Sequence, residues 1–216
     1  MTALNGCAAA CVLAINAGSS SVKFALYDAD GSADIALDCR GQVEGIGATP
    51  HFLARDADAK VLADQGWGHD APSNQSAALA FLLDWLHPRL EGRRLIGAGH
   101  RVVHGGLAYS APIRLDQRVL AALEAFVPLA PLHQPHNLGA IRALVRLDPD
   151  LPQVACFDTA FHRTHMPVAD RFALPRDLHE AGIRRYGFHG LSYAYVAETL
   201  ASVAPEIAGG RVIVAH

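Results

Sequence analysis

The stretch that decides the fold reads Val12-Leu-Ala-Ile-Asn-Ala-Gly-Ser-Ser-Ser-Val-Lys-Phe-Ala-Leu-Tyr27. Its two apolar runs, Val12–Ile15 and Val22–Tyr27, flank a small polar loop and predict a β-hairpin. Gly18 is expected to give the loop a backbone conformation that a Cβ would forbid. The serines and Lys23 gather hydroxyls, backbone N–H groups and an ammonium at one tip, a donor set that suits a phosphate. A glycine–serine turn that only joins two strands is the alternative.

Length and composition indicate an ordinary globular protein. The 216 residues suffice for one large domain or two small ones, and the chain is 51% hydrophobic and 18% charged. A net charge of -3 gives no reason to expect a nucleic acid or an acidic membrane as a partner. Any anionic ligand must therefore be held by a few placed cations.

The cysteines and the N-terminus favour a cytoplasmic protein. The four cysteines show no C-x-x-C pair, which favours reduced thiols; they are Cys7, Cys11, Cys39 and Cys156. The apolar run from Ala8 to Ala17 is too short to span a bilayer. Met1 to Gly6 lacks the basic segment of a signal peptide.

The hairpin is predicted to continue into an antiparallel meander. Ile35–Glu44 is predicted to form a third strand, with turns at Asp30-Gly31 and Gly45–Gly47. The following segment, His51–Gly68, is polar and contains several glycines, so we expect an excursion at the edge of the sheet.

Alternating helices and strands are predicted beyond the meander. Apolar spacing predicts four helices, which run from Ser73 or Asn74 to Leu86, from Asp116 to Phe126, from His136 to Leu147 and from Ser192 to Val203. Strands are predicted at Leu95–Val103, Gln153–Phe157 and Arg211–Ala215. This order predicts an α/β domain with a mixed sheet, in which ligands bind at the carboxyl ends of strands. The residues that follow predicted strands are Asn16, His104, Asp158 and His216.

Five motifs can be read together along the chain. They are N-A-G-S-S-S-V-K-F (16–24), G-H-R-V-V-H-G-G (99–106), P-L-A-P-L-H (128–133), F-D-T-A-F-H (157–162) and R-R-Y-G-F-H-G (184–190). Their order and spacing resemble those of the acetate kinase family, the short-chain carboxylate kinases of the acetate and sugar kinase/Hsp70/actin superfamily. The resemblance extends from Cys11 to His216.

The resemblance implies a fold and an assembly. Residues 1–160 would form a ribonuclease-H-like (actin-like ATPase) domain with a mixed sheet, lacking the segment that completes it. Residues 161–216 would begin a second, similar domain that binds the nucleotide. The family usually forms homodimers.

The resemblance also implies an activity with named residues. Family members transfer a phosphoryl group reversibly between ATP and acetate, with Mg²⁺, to give ADP and acetyl phosphate. By motif, Asn16 would be associated with Mg²⁺, and the ATP phosphates would meet Ser19, Ser21 and Lys23. Arg101 would hold the carboxylate or the phosphoryl group, and the methyl pocket would consist of Val103, Leu132 and Phe188. The catalytic carboxylate would be Asp158, and the transferring phosphoryl group would face His133 and His189.

These residue types suit the chemistry. Phosphoryl transfer depends mostly on positioning and charge stabilisation. Acetate titrates at roughly pH 4 to 5 and is an anion at neutral pH, so no base is needed to make the nucleophile. We therefore interpret Asp158 as orienting Mg²⁺ or Arg101, whereas the family description makes it a proton donor and acceptor. The guanidinium fork of Arg101 can pair with a carboxylate through two hydrogen bonds.

Other interpretations stay open from the residues alone. Arg101 could form a structural ion pair, and His100 with His104 could suggest a metal pair. Packed loop positions would account for His133 and His189, and plain core positions for Val103, Leu132 and Phe188. The family motif is altered at Leu191 and Tyr193, where a hydroxyl and an imidazole are usual, and Gln134 and His165 also depart from the pattern.

The function keeps two alternatives as well. One is a kinase for propionate or butyrate, because a pocket rejects one extra methylene by only about 1–3 kcal/mol. The other is a non-catalytic protein that binds acetate or acetyl phosphate. Family members are about twice as long, so we expect this chain to be an N-terminal half with little kinase activity and poor nucleotide affinity by itself. Whether the donor is ATP or pyrophosphate stays open.

Overall fold

Eight strands form one mixed sheet in a computed structural model that describes residues 9–29, 35–68 and 70–216. The strand order is β5-β4-β3-β2-β1-β6-β8-β7. The strands are β1 (Ala10–Ala17), β2 (Ser21–Asp28), β3 (Ala36–Glu44), β4 (His51–Asp56), β5 (Val61–Gly66), β6 (Arg94–Val102), β7 (Ile113–Arg114) and β8 (Gln153–Phe157). Strands β1 to β5 pair antiparallel in sequence, whereas β1 and β6 are parallel. The predicted mixed α/β fold is confirmed.

The α-helices of the described residues are α1 (Gln75–Leu86), α2 (Gln117–Glu124), α3 (Gln134–Leu147), α4 (Arg176–Glu180), α5 (Gly190–Val203) and α6 (Pro205–Ala208). The side chain of Asn74 accepts a hydrogen bond from the N–H of Ala77, and that of Asp116 accepts one from Val119. These caps satisfy donors that the first turn of a helix leaves unpaired. They explain why α1 and α2 begin where the sequence predicted.

The β1–β2 hairpin has the predicted strands but not the predicted role for glycine. Asn16 pairs with Lys23 and Ala17 with Val22, and the strand ends are joined by Gly18, Ser19 and Ser20. The N–H of Gly18 donates to the carbonyl of Ser21 at 2.8 Å. A Cβ at Gly18 would lie 3.6 Å from the Ser21 hydroxyl, and φ there is not positive. The expectation that Gly18 needs a glycine conformation is therefore wrong.

The predicted edge excursion is a regular hairpin, made of β4 and β5. Phe52 and Ala54 are buried, whereas His51, Leu53 and Arg55 alternate with them and lie on the outer face of the sheet. The turn places Ala59 at a φ of 65°. Strand β4 was missed by the sequence analysis because the alternation is short and the segment as a whole is polar. The predicted turn at Asp30-Gly31 lies outside the described residues.

The strand predicted at Arg211–Ala215 is wrong, since the structure assigns no regular element there. An apolar, β-branched sequence forms a strand only where a neighbouring strand takes up its backbone hydrogen bonds. Ile213 is 95% exposed, so this segment has no such packing.

The chain divides into two compact units. The first unit contains Met1–Arg101 and Arg114–Ala155, and the second contains Val102–Ile113 and Cys156–His216. The domain boundary at residue 160 stays a prediction. No helix among the described residues has the length and apolar character needed to cross a membrane.

An aromatic cluster fills the helix-facing side of the sheet in the first unit. Phe52 is fully buried and lies edge-on to Phe81 at 5.0 Å and to Trp85 at 5.1 Å between ring centroids. It also contacts Phe24 at 6.2 Å and Trp67 at 6.5 Å. Such ring pairs add to the free energy already gained by burying their area. The cluster joins α1 to β2 and β4.

We expect Phe52→Ala to lower the free energy of unfolding by about 3–5 kcal/mol, because it leaves a cavity beneath α1. Both tryptophans of the chain contact this ring, so their emission should shift to longer wavelength. Urea unfolding followed by fluorescence measures both effects. Leu62→Ala, at a position 37% exposed, is the control. Equal losses in the two variants would contradict the packing described.

Candidate functional site

The polar loop of residues 16–21, which we name the serine loop, is fixed by polar side chains at the beginnings of two helices. Gln75 Nε2 in α1 lies 2.9 Å from the carbonyl oxygen of Gly18 and 2.8 Å from that of Ser19. Asn137 Nδ2 in α3 donates to the carbonyl of Ala17 at 2.7 Å. A loop whose carbonyls are held in this way loses little freedom when a ligand binds. The loop is therefore pre-arranged while Ser19 itself stays exposed.

Gln75 and Asn137 were missed by the sequence analysis. Asn137 is 3% exposed in a helix whose buried neighbours are almost all apolar. A polar residue on the apolar face of a predicted helix was the available signal, because a buried amide needs a hydrogen-bond partner. The motif pattern did not point to either residue.

Arg101 and Asn16, two of the predicted site residues, lie together. Arg101 Nη1 donates to Asn16 Oδ1 at 3.2 Å. The parallel pairing of β1 with β6, which places Ile15 beside His100, explains this contact. Lys23 is directly opposite Asn16 on β2 and is exposed. Arg101, Asn16 and Lys23 therefore follow one another across three adjacent strands.

Within the described residues, the site offers few side chains that could bind a metal ion. No group of three or more His, Cys, Asp or Glu side chains within the described ranges is arranged to hold one. Asn16 supplies one amide oxygen, which already accepts a hydrogen bond from Arg101. Magnesium commonly uses one or two protein oxygens and fills the rest of its shell with water and substrate phosphates. Asn16 fits that limited role.

His100 is a neutral, buried residue. Its side chain is 2% exposed, and its Nε2 lies 2.7 Å from Gln153 Oε1. Burial lowers its pKa from 6.5 to about 4, although the hydrogen bond from the ring opposes that shift. A ring nitrogen that donates to Gln153 is not available to a metal ion, which disfavours the alternative of a metal pair.

His133 and Leu132 lie immediately before α3. His133 occupies the N-cap position and is exposed, and its carbonyl accepts a hydrogen bond from Asn137 N–H at 3.1 Å. Leu132 is 74% exposed. An exposed leucine is not a plain core residue, so the alternative that made Leu132 part of the core is wrong.

The second unit holds Asp158 at the end of β8. Asp158 is 1% exposed, and its N–H donates to the carbonyl of Val102 at 3.0 Å. Its own carbonyl accepts a hydrogen bond from Gly190 N–H at 2.8 Å. A Cβ at Gly190 would lie 2.2 Å from that carbonyl oxygen, so only glycine permits this approach. Asp158 is thereby joined to the first residue of α5.

His189 precedes α5 in a left-handed conformation, with φ 58° and ψ 23°. Such a conformation is uncommon outside glycine and costs about 1 kcal/mol or more. The His189 ring stacks on that of His216 at 4.4 Å, and Ser192 Oγ lies 3.0 Å from His216 Nδ1. His189 is exposed, so its ring is accessible in this unit.

His104 supports the predicted pocket residue Phe188. The rings of Tyr186 and Phe188 lie edge-on to His104 at 4.5 Å and 5.8 Å. His104 Nδ1 accepts a hydrogen bond from Gly106 N–H at 3.0 Å, and burial lowers its pKa. His162 Nε2 is 2.8 Å from the carbonyl oxygen of Phe188. Phe188 is 37% exposed, whereas Val103, the other predicted pocket residue of this unit, is buried.

A group of charged side chains holds the motif of residues 184–190 in place. We name it the Asp170 cluster, and it consists of Arg163, His165, Asp170 and Arg184. Asp170 is 7% exposed, and its carboxylate lies 3.2 Å from Arg163 Nη1, 3.1 Å from His165 Nε2 and 3.9 Å from Arg184 Nη1. The backbone carbonyl of Asp170 also accepts a hydrogen bond from the N–H of Arg185 at 2.8 Å. The cluster therefore links residues 163–170 to the segment that carries Tyr186, Phe188 and His189.

Similarity to solved structures gives the fold class of the chain. A crystal structure of acetate kinase from Porphyromonas gingivalis matches with a TM-score of 0.77 and 32% identity, over 91% of this chain and 49% of that chain. A propionate kinase from Francisella tularensis matches with the same TM-score and coverage and 34% identity. The chain thus has the fold of the acetate and sugar kinase/Hsp70/actin superfamily, as predicted.

The sequence comparison narrows the class to a family. The model of the acetokinase family matches residues 11–216, and the chain belongs to this family. It is 54% identical over 205 residues to an acetate kinase from Nitrobacter hamburgensis and 50% identical over 212 residues to one from Rhodopseudomonas palustris. These matches cover 95% of this chain but 50% and 52% of the relatives. The chain therefore spans about half the length of the curated relatives it matches.

We expect His100 to make stability depend on pH. Its folded pKa of about 4 lies below its ordinary value of 6.5, so the unfolded state binds more protons between those values. Stability should therefore fall as the pH decreases through this window, by up to about 1.4 kcal/mol per pH unit from this residue. Urea unfolding at several pH values should show a shallower decline for His100→Gln. An unchanged slope would contradict the burial of a neutral imidazole, and exposed His87→Gln is the control.

We expect Asp170→Asn to destabilise the second unit by about 3 kcal/mol, because Arg163 and Arg184 would keep largely buried charges without their carboxylate. NMR signals of Phe188 and His189 should shift in the same variant. Asp177→Asn removes an exposed carboxylate from α4 and is the matched control. If the signals of Phe188 and His189 stay unchanged, the Asp170 cluster does not position them.

Proposed function

We propose that this protein takes part in the reversible, ATP- and Mg²⁺-dependent phosphorylation of acetate to acetyl phosphate, and that this chain supplies the carboxylate-binding side. The observation that carries the proposal is the contact between Arg101 and Asn16 beside Lys23 and the serine loop. Membership of the acetokinase family and the names of the relatives support it. The activity and substrates of the whole protein are part of the proposal.

Arg101 is the residue that we assign to the carboxylate or the transferring phosphoryl group. A guanidinium carries five N–H donors in a planar fork, and this geometry matches two oxygens of one anion. The side chain is only partly buried, so a ligand can reach it. Orientation of the carboxylate oxygen toward the phosphorus atom is the contribution that phosphoryl transfer needs most.

The serine loop is assigned to the phosphates of ATP. Ser19 and Lys23 are exposed, and Gln75 and Asn137 fix the loop from behind through its carbonyls. Hydroxyl and ammonium groups held in this way stabilise the negative charge on the equatorial oxygens. A bound Mg²⁺ would neutralise phosphate charge, with Asn16 as its neighbour from this chain.

Asp158, His133 and His189 complete the proposed chemistry. Acetate needs no deprotonation, so a buried carboxylate at position 158 is better suited to orienting a cation than to removing a proton. His133 and His189 are exposed imidazoles and could donate hydrogen bonds to phosphoryl oxygens. A homodimer and a cytoplasmic location are proposed from the resemblance.

A longer carboxylic acid is the second candidate for the substrate that is phosphorylated. The match to a propionate kinase at 34% identity favours testing longer acids. Phe188 is 37% exposed in the second unit and Leu132 is 74% exposed in the first, so neither of these side chains is enclosed within its own unit. One additional methylene costs only about 1–3 kcal/mol where a pocket is tight, and less where it is open. Rates with acetate, propionate and butyrate separate the two candidates.

In a protein of the length of its relatives, we expect Arg101→Ala to lower kcat/KM for acetate by a factor of about 100 or more, because it removes a charge-assisted pair of hydrogen bonds. Arg101→Lys should recover only a small part of the lost kcat/KM, since an ammonium cannot bind two oxygens as the guanidinium fork does. A hydroxamate assay for acetyl phosphate with ATP and Mg²⁺ measures both variants. The control Arg118→Gln removes an exposed charge in α2.

The same assay tests the proposed function. It is run on the 216-residue chain and on a protein of the length of its relatives. Turnover in the longer protein that is lost in Arg101→Ala supports the proposal. Turnover that does not respond to Arg101→Ala, or activity with none of the three acids, contradicts it.

A further inference from the structure

A basic depression that the motifs do not include lies on the outer face of the sheet, across β2, β3 and β4. We name it the β2–β4 groove and define it by Lys23, Arg40, Gln42, Leu53 and Arg55, which line it. Its volume is about 350 Å³. Val22, Phe24 and Leu26 are buried on the opposite face, so Lys23 points away from the helices. Lys23 also belongs to the phosphate site proposed above, so the two sites share this residue.

The groove concentrates positive charge that the fold does not need. Arg40 is directly opposite Arg55 in the antiparallel register of β3 and β4. Like charges at directly opposed positions destabilise a sheet. No carboxylate is among the residues that line the groove. This arrangement is unfavourable for the empty protein and favourable once an anion is bound.

Neighbouring groups occupy only part of the donor capacity of the groove. Arg55 Nη1 donates to the carbonyl of Ala59 at 2.9 Å, which leaves further N–H donors of the same guanidinium. Two carboxylates lie beside the groove in the sheet register, and other side chains hold them there without cancelling their charge. Glu44 accepts a hydrogen bond from Gln42 Nε2 at 2.8 Å, and Asp64 lies 2.8 Å from His51 Nε2.

The dimensions of the groove indicate the class of ligand. Lys23 on β2 and Arg55 on β4 project from positions about 12 Å apart, two strand spacings across and two residues along the sheet. Their long side chains can reach toward one anion between them, and a groove of about 350 Å³ has room for two linked phosphates. The three cations also suit the multiple negative charges that a diphosphate carries at neutral pH. We propose that the β2–β4 groove is a binding site for an oligophosphate anion, centred on Arg40 and Arg55 rather than on the serine loop.

This inference does not require kinase activity, so binding to the purified chain tests it. Isothermal titration with inorganic pyrophosphate and with inorganic phosphate gives the two affinities. We expect pyrophosphate to bind more tightly than phosphate, and its affinity to fall about tenfold or more in Arg40→Gln/Arg55→Gln. Arg40→Lys/Arg55→Lys should retain part of the affinity.

Two control variants distinguish binding in the groove from binding elsewhere on the protein. Arg114→Gln/Arg118→Gln removes two exposed charges elsewhere in the same unit, and an equal loss of affinity there would overturn the proposal as a net-charge effect. Ser19→Ala/Ser21→Ala alters the serine loop. Pyrophosphate binding that responds only to this loop variant would overturn the groove and support the proposed function.

Thermal unfolding without anion checks that the variants fold. Arg40→Gln/Arg55→Gln should be at least as stable as the natural protein, because it removes a repulsive pair. Added pyrophosphate should raise the melting temperature of the natural chain and raise that of the double variant less. An equal rise in both proteins would overturn the proposal.

Discussion

The parallel pairing of β1 with β6 is the constraint on which the rest of the first unit depends. It joins strands that are 85 residues apart at the contact between Asn16 and Arg101. Because backbone hydrogen bonds set this register, a shift by one residue would turn Arg101 to the helix-facing side of the sheet. The same register sets the serine loop, which continues from β1, beside the carboxyl end of β6.

Helices hold the serine loop from the side that a ligand does not approach. Gln75 and Asn137 take up the carbonyls of Ala17, Gly18 and Ser19, which holds the backbone of the loop in place while Ser19 stays exposed. In the second unit, the backbone contact between Asp158 and Gly190 has a comparable effect. In both units, side chains with proposed roles are carried by backbone that tertiary hydrogen bonds have already fixed.

Most of the secondary structure could be predicted from local pattern. The β1–β2 hairpin, β3 and the capped starts of α1 and α2 depend on alternation and on capping residues that act within a few positions. The edge hairpin was obscured because its outer face is polar. The strand predicted at Arg211–Ala215 failed because pairing requires a neighbour that the local sequence does not specify.

The sequence by itself determined the family, the mixed α/β fold and the residues that carry the candidate chemistry, because ordered motifs keep their spacing along the chain. Only the tertiary structure decided which of those residues meet. It placed Arg101 beside Asn16, showed that Gly18 has no special conformation, and brought Arg40 opposite Arg55. The physical reason is that strand register and buried polar contacts join residues far apart in sequence, and no local pattern records those pairings.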